Sequence, residues 1–264
     1  MLFVYDTKSF YYVGLPDQKY GTLTADLINH TSDDAHHSGV SFETVLLMDL
    51  KRVDLKRFHV VVFVNTFLMD AAQRKFIKEK VAKNGRTIVW LYAPGYTDGK
   101  TLDIKRMSDL IGMNLKKVEF SDAPQIVVDV KSTPFRIALT KFGLSDPAKP
   151  LFAVEDKDAK VLGRYYGTKH AALACKKLAD SVSWYCALPL RDPNLMREIF
   201  RIGGANIYDE ENDVIFAGGD LLVVHTQTGG LRKLSLPDKR VLEVDLKPRS
   251  TTVFDWKTGK QLLE

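Results

Sequence analysis

Four consecutive segments decide the fold: HVVVFVNTFLMD (59–70), AAQRKFIKEKVAKNG (71–85), RTIVWLY (86–92) and APGYTDG (93–99). The near-continuous β-branched run from His59 to Val64 reads as a parallel strand buried on both faces. Asp70 is placed to cap the next helix, and Asn84-Gly85 to end it in a left-handed turn. Within that helix Ala72, Phe76, Ile77 and Val81 form an apolar side, while Gln73, Arg74, Lys78 and Glu79 take the wet side. A second buried strand, Thr87 to Tyr92, completes a βαβ unit. Open α/β sheets place their sites beyond the carboxyl ends of such strands. Asn65, Thr66, Tyr92, Ala93, Pro94 and Gly95 stand there, with no Cys, Ser, His or Asp where a nucleophile would be presented.

Outward from this unit the amino-terminal half keeps the α/β rhythm. Leu2 to Tyr5 reads as a first strand ending at Asp6, Asp17 to about His30 as a helix, Thr44 to Met48 as a strand and Asp103 to Ile111 as a short helix. This alternation predicts a mainly parallel sheet with helices on both faces. Beyond about residue 115 short strands dominate: Leu151 to Val154, Val161 to Tyr166, Ala171 to Leu178 and Val182 to Ala187. Glu155-Asp156-Lys157-Asp158 separates the first two as a hairpin turn would. One helix interrupts, Pro193 to Ile202, capped by Asp192, opened by Pro193 and stopped by Gly203-Gly204. Strands follow at Val214 to Phe216, Leu221 to Thr226, Leu231 to Leu236, Val241 to Leu246, Thr251 to Trp256 and Lys260 to Leu263. The chain therefore divides into an α/β domain over 1–220 and a small antiparallel β unit over 221–264.

With 264 residues, 45% of them hydrophobic and 27% charged, the chain has the composition of a globular protein with an ample core. No apolar run approaches the roughly 20 residues that cross a bilayer, which argues against a membrane role. Met1 leads directly into LFVYD, unlike a signal peptide. A chain that opens inside its first strand is expected to be a domain of a longer polypeptide. The net charge of +5 is spread over scattered lysines and arginines, which reads as a solvated surface and not as a nucleic-acid footprint. Cys175 and Cys186 fit no zinc spacing; buried free thiols are expected, with a bridge between adjacent strands as the alternative. Nothing indicates a compartment.

VYDTKSFYYV, VLLMDL, VVVFVNTFLMDAAQRKFIKEKVAKNGRTIVWLYAPGY, DAKVLGRYY, LMREIFRIGGANIYDEENDVIFAGGDLLVVHT and KLSLPDKRVLEVD, in this order and spacing, carry a resemblance. Over nearly its whole length the chain resembles the class I glutamine-amidotransferase-like domains of multidomain bacterial glycoside hydrolases. These include the non-catalytic domain beside the barrel in β-galactosidases of the trimeric bacterial type. The resemblance implies a flavodoxin-like sheet with a β extension, a parent protein acting on carbohydrate, and a catalytic barrel of that polypeptide as partner. It also makes a homo-oligomer an expected assembly. Active amidotransferases present a cysteine on a sharp strand-to-helix turn, activated by a histidine that an acid holds. At the matching turn stand Tyr92-Ala93-Pro94-Gly95: Ala93 brings no nucleophile and Pro94 removes a backbone N–H. His225 lies late, as a triad histidine would, but Gln227 stands in place of its acid.

The reading is a non-catalytic accessory domain, with no catalytic residue, no cofactor and no metal. The alternatives are a carbohydrate-binding cleft built from Asp6, Asn65, Thr66, Tyr92 and Tyr96, and a hydrolase with a carboxylate pair that includes Asp6. An acid at a strand end more often caps a turn. Tyr92, Tyr96, Trp184, Tyr185 and Tyr208 offer faces for pyranose stacking or fill the core beneath helices. His30, His36, His37, Asp33 and Asp34 read as a solvated loop, since adjacent histidines diverge.

Overall fold

Every residue of β3 (Val60–Phe63) and β4 (Arg86–Leu91) is buried, as their β-branched composition requires of strands covered on both faces. The computed structural model describes residues 1–12, 21–138 and 140–263. In chain order the strands of the main sheet are β1 (Leu2–Tyr5), β2 (Glu43–Leu46), β3, β4, β5 (Leu115–Val118), β6 (Gln125–Val128), β7 (Lys141–Gly143), β8 (Leu151–Val154), β9 (Lys160–Tyr165), β10 (Ala171–Lys177) and β11 (Ser181–Cys186). Their spatial order is β2-β1-β3-β4-β11-β10-β9-β6-β7, with β8 against β10 and β5 against β8.

The first five of these, β2 through β11, are parallel neighbours. All remaining pairings of the sheet are antiparallel. The expected mainly parallel sheet is therefore a mixed one, parallel in one half only. The cause is β11, which joins β4 in parallel but turns tightly into β10 through residues 178–180. The expected hairpin across Glu155–Asp158 is absent too: β8 pairs with β5 and β10, and β9 pairs with β10 and β6.

Helices α1 (Gly21–Ala25) and α2 (Thr31–His36) are joined by the π segment Asp26–His30, and Ala25, His30 and Thr31 all hold right-handed helical torsions. Expected to end near His30, the helix runs on to His36, and residues 17–20 of the expected helix lie outside the described residues. The expected solvated loop is thus helical. Its acids are held from far along the chain: Arg191 pairs with Asp26 and, at 3.0 Å, with Asp34, while His30 Nδ1 lies 2.8 Å from Asp26. Helix α3 (Ala71–Phe76) begins with the capping box Asp70–Gln73 and continues as a π segment, Ile77–Val81. Ile77 and Val81 are buried and Phe76 is half-buried. Ala72, expected on the apolar side, is exposed. Asn84 and Gly85 both adopt positive φ, and the turn they form is held to Asp180.

Helix α4 (Ile104–Ile111) is capped by Asp103, and α5 (Pro193–Ile202) by Asp192 with Pro193 in its first turn. Side-chain alternation places them on opposite faces of the sheet. A Cβ on Gly203, at the end of α5, would lie 2.6 Å from Val60 Cγ2 and 3.1 Å from Thr87 Cβ, so only glycine lets the helix settle there. Three residues on from Val60 and Thr87, and so on the other face, Phe63 and Trp90 stack at 4.5 Å. Trp90 Nε1 donates to Ser183 Oγ, which donates to the Ile111 carbonyl at the end of α4.

The remaining strands are β12 (Val214–Gly218), β13 (Leu221–Thr226), β14 (Gly230–Ser235), β15 (Val241–Leu246), β16 (Ser250–Asp255) and β17 (Lys260–Leu263). They form the sheet β12-β13-β16-β17 and the ribbon β14-β15. Ile215, Leu222, Val224, Leu234, Leu236, Leu246 and Phe254 make a second core between the two. This β-rich part rests on the α2–β2 connection. Tyr208 N–H donates to the Gly39 carbonyl, Ala217 N–H to Ser41 Oγ, and His37 Nδ1 lies 2.7 Å from the Asn212 carbonyl.

His36 sits at this junction, its ring centroid 4.6 Å from that of Phe42 and 5.4 Å from that of Phe216. Its Nδ1 is buried without a hydrogen-bond partner among the described residues. Burial lowers its pKa, partly offset by Asp33 and reinforced by His37. A histidine whose folded pKa lies below its unfolded value of about 6.5 favours folding fully above that pH and loses the contribution as pH falls through it. The urea midpoint should therefore drop between pH 7.5 and pH 5.5 by less in His36→Leu than in the parent chain. Equal drops would remove His36 from the acid response.

Candidate functional site

The carboxyl ends of β3 and β4 carry the residues on which any site must be built. Asn65 follows β3, and its side chain brackets the backbone of Asp6 after β1: Asp6 N–H donates to Asn65 Oδ1 and Asn65 Nδ2 donates to the Asp6 carbonyl, both at 2.9 Å. The Asp6 carboxylate accepts from the backbone N–H and the hydroxyl of Ser9. Ser9 Oγ in turn accepts the Leu68 N–H at 2.9 Å. Asp6, Ser9 and Asn65 are all buried. Asp6 therefore closes a turn, with its carboxylate committed to Ser9. Thr66 is fully buried; its backbone carbonyl accepts the Gly95 N–H while its Oγ1 has no partner among the described residues.

The strained residue of the turn after β4 is Tyr92, with φ of 60°. A left-handed conformation is uncommon for a bulky side chain and persists only where the surroundings fix it. Here three hydrogen bonds do so. Tyr92 N–H donates to the Cys186 carbonyl at 2.8 Å, the Tyr185 hydroxyl donates to the Tyr92 carbonyl at 2.6 Å, and the Tyr92 hydroxyl donates to the Pro150 carbonyl at 2.7 Å. Burial, with a smaller effect of Tyr96, raises the Tyr92 phenol far above its usual range. The segment beyond is pinned as well: Thr97 N–H donates to the Phe67 carbonyl and Asp103 N–H to the Tyr96 carbonyl. Asp98 accepts the N–H groups of Thr101 and Lys100, which together with Arg106 hold its carboxyl at about 2.

Over this turn lies a cavity of about 250 Å³, walled by Phe67, Tyr92, Ala93 and Tyr96 and bordered by Tyr12, Leu102, Lys149 and Pro150. Of the five residues singled out from the sequence, Tyr92 and Tyr96 line it. Asp6, Asn65 and Thr66 are absent from its lining and serve the buried scaffold. Tyr92 and Tyr96 are buried and meet Phe67 and Phe152 edge to face, so their rings are largely occupied. Phe67 was within reach of sequence reasoning, since it follows Thr66 at the strand end. Lys149 and Pro150 were not, because they arrive from a connection some fifty residues away.

Other reactive side chains lie elsewhere. His225 is in β13 of the second sheet, its Nδ1 2.9 Å from Thr251 Oγ1, so it is not poised over the turn at Tyr92. Cys175 and Cys186 are free thiols on adjacent strands, out of register because Cys175 opposes Trp184 and Cys186 opposes Leu173. Burial pushes the Cys186 thiol up to about 12 and raises that of Cys175. Trp184 and Tyr185 are core residues, and Tyr208 is half-buried beside the second core. Among the described residues no three His, Cys, Asp or Glu side chains converge as a metal site would require.

No family model matches the sequence, and no curated protein matches it. Solved structures do. The β-galactosidase of Bacillus circulans sp. alkalophilus superposes with a TM-score of 0.69 at 13% identity, over 96% of this chain and 40% of that one. A polyextremophilic β-galactosidase from Halorubrum lacusprofundi gives 0.65 at 16%, over 96% and 39%. A β-galactosidase from Rahnella sp. R3 gives 0.62 at 11%, over 96% and 40%. The chain thus spans about two fifths of the length of these proteins. At such identities the likeness is one of fold, and at that level it bears out the resemblance to a β-galactosidase domain read from the sequence.

Two outcomes check the site. Asn65→Ala strands the N–H and carbonyl of Asp6 in the interior and should cost about 2–4 kcal/mol in urea unfolding; a loss below about 0.5 kcal/mol would mean the bracket is dispensable. A chromogenic disulfide reagent at neutral pH should leave Cys186 unlabelled until urea is added, and rapid native labelling there would contradict its burial.

Proposed function

We propose that the chain is a non-catalytic accessory domain of a glycoside-hydrolase-like protein, packed against a catalytic barrel of the same polypeptide. The observation that carries this reading is the turn after β4. Its strained position is held by a tyrosine whose hydroxyl, carbonyl and N–H are all engaged, and Ala93 and Pro94 follow without a reactive group. The five parallel strands in the order β2-β1-β3-β4-β11, flanked by helices, support a flavodoxin-like half within the mixed sheet. The antiparallel strands β10, β9, β6 and β7 would then be an extension of that half. We read the small β unit as including β12, which pairs with β13 along its length. The β-galactosidase neighbours extend well beyond the aligned region, which is the expected setting for an accessory domain.

The test has two arms. The isolated chain, supplied with nitrophenyl galactosides and separately with glutamine, should release no product above the uncatalysed rate. The uninterrupted reading frame that encodes it should also specify a glycoside-hydrolase barrel. Turnover by the isolated chain, or a frame that encodes no barrel, would overturn the proposal.

A further inference from the structure

The cavity over Tyr92 has a wall chemistry that the accessory reading leaves unused. Phe67, Tyr92, Tyr96 and Leu102 supply apolar surface, and Leu102 at the rim is exposed. Dry apolar cavities of roughly 150 Å³ already accept benzene, so about 250 Å³ admits a ring with a short arm. Three polar features able to take a further partner lie at or near this surface. Ala93, on the wall, has a backbone N–H with no acceptor among the described residues. Lys117 has no carboxylate partner there, and its Nζ stands 5.3 Å from the Tyr96 ring centroid. Lys149, on the lining, meets only Glu119 among the described residues, at 3.6 Å, an exposed pair that yields readily to another anion.

We infer that this cavity binds a small aryl carboxylate, its ring between Phe67, Tyr92, Tyr96 and Leu102 and its carboxylate toward Lys149 and Lys117. A sugar fits poorly. The Tyr92 hydroxyl has already given its proton to Pro150 and Thr97 Oγ1 already accepts the Gly99 N–H, which leaves the apolar wall few groups to answer the several hydroxyls of a hexose. A neutral hydrocarbon would leave the Ala93 N–H and the two lysines unanswered. The ligand that uses both parts of the wall is flat, apolar and singly anionic.

Calorimetry on the whole chain tests this with phenylacetate, its uncharged analogue 2-phenylethanol, and galactose. Phenylacetate should bind saturably with a Kd below about 10 mM, on the order of tenfold tighter than 2-phenylethanol, and galactose should give no saturable heat in the same range. The exposed pair Lys117→Met with Lys149→Met should erase the preference for phenylacetate without weakening 2-phenylethanol. Leu102→Trp, at an exposed position where folding is not at stake, should block both aryl ligands. Equal affinity for the charged and uncharged probes, galactose displacing phenylacetate, or no saturable binding of phenylacetate would each overturn the inference. None of these outcomes bears on the accessory role, which is tested separately by turnover of the isolated chain and by the parent reading frame.

Discussion

Tyr92 donates its hydroxyl to the Pro150 carbonyl at 2.7 Å, and through that bond the two halves of the sheet share one corner. The residue ends β4 in the parallel half, while Pro150 immediately precedes β8 in the antiparallel half. Tyr185, at the end of β11, closes the arrangement from the strand between them. A left-handed backbone at a tyrosine costs about 1–3 kcal/mol, an amount that three buried hydrogen bonds and the packing of an aromatic ring can offset. Removing any of the three leaves a buried polar group without a partner, so the turn is fixed as a unit. The cavity above it, the course of the segment to Asp103 and the seating of Tyr96 against Phe152 all follow from this corner.

Three arginines do comparable work elsewhere, and their burial is unusual enough to need a reason. Arg86 is 6% exposed and donates to the carbonyls of Phe58, Leu55, Val81 and Lys83, with no carboxylate among those partners. It satisfies the open carbonyl end of the π segment after α3 and ties that end to the approach to β3. Desolvation lowers its pKa, though a guanidinium stays charged across the accessible pH range. Arg197, on α5, reaches the carbonyls of His37 and Ser38 and the side chains of Asn194 and Asn212, which joins the main sheet to the β-rich part. Arg232 pairs with Asp213 at 2.6 Å and also donates to Thr226 and Thr228, so the ribbon β14-β15 is held to the second sheet by a satisfied buried ion pair.

The sequence made the parallel half legible because its signals are local. A β-branched run, a capping box at Asp70 and a glycine stop after Ile202 each act within a few residues, and β3, α3 and α5 stand where those signals place them. The antiparallel half was legible strand by strand but not as a topology. Periodicity tells whether a residue faces a core, and it says nothing about which strand lies alongside, so β8 and β9 read as a hairpin when neither pairs with the other. The helix beyond His30 was hidden for a related reason. TSDDAHH has the composition of a loop, and Arg191, more than 150 residues away, gives Asp34 its partner. At the site, local reasoning reached Tyr92 and Tyr96, while Lys149, Pro150 and Lys117 come from connections it had no means to bring near.

The site's own inventory then bears on what the corner can do. General acid–base and nucleophilic catalysis need a group whose protonation changes near neutral pH, or a base beside a nucleophile. Among the described residues the cavity lining contains no His, Cys, Asp or Glu. The acids nearby are tied down: Asp6 by Ser9, and Asp98 by backbone N–H groups and Arg106 that keep it ionised to about 2. Burial moves the Tyr92 phenol and the Cys186 thiol in the opposite direction, away from ionisation. Asp98, Tyr92 and Cys186 are thus held away from titration in the neutral range, and what remains variable is occupancy of the cavity and contact at its rim. The wall of that recess is set by the left-handed turn at Tyr92 and the three hydrogen bonds that fix it.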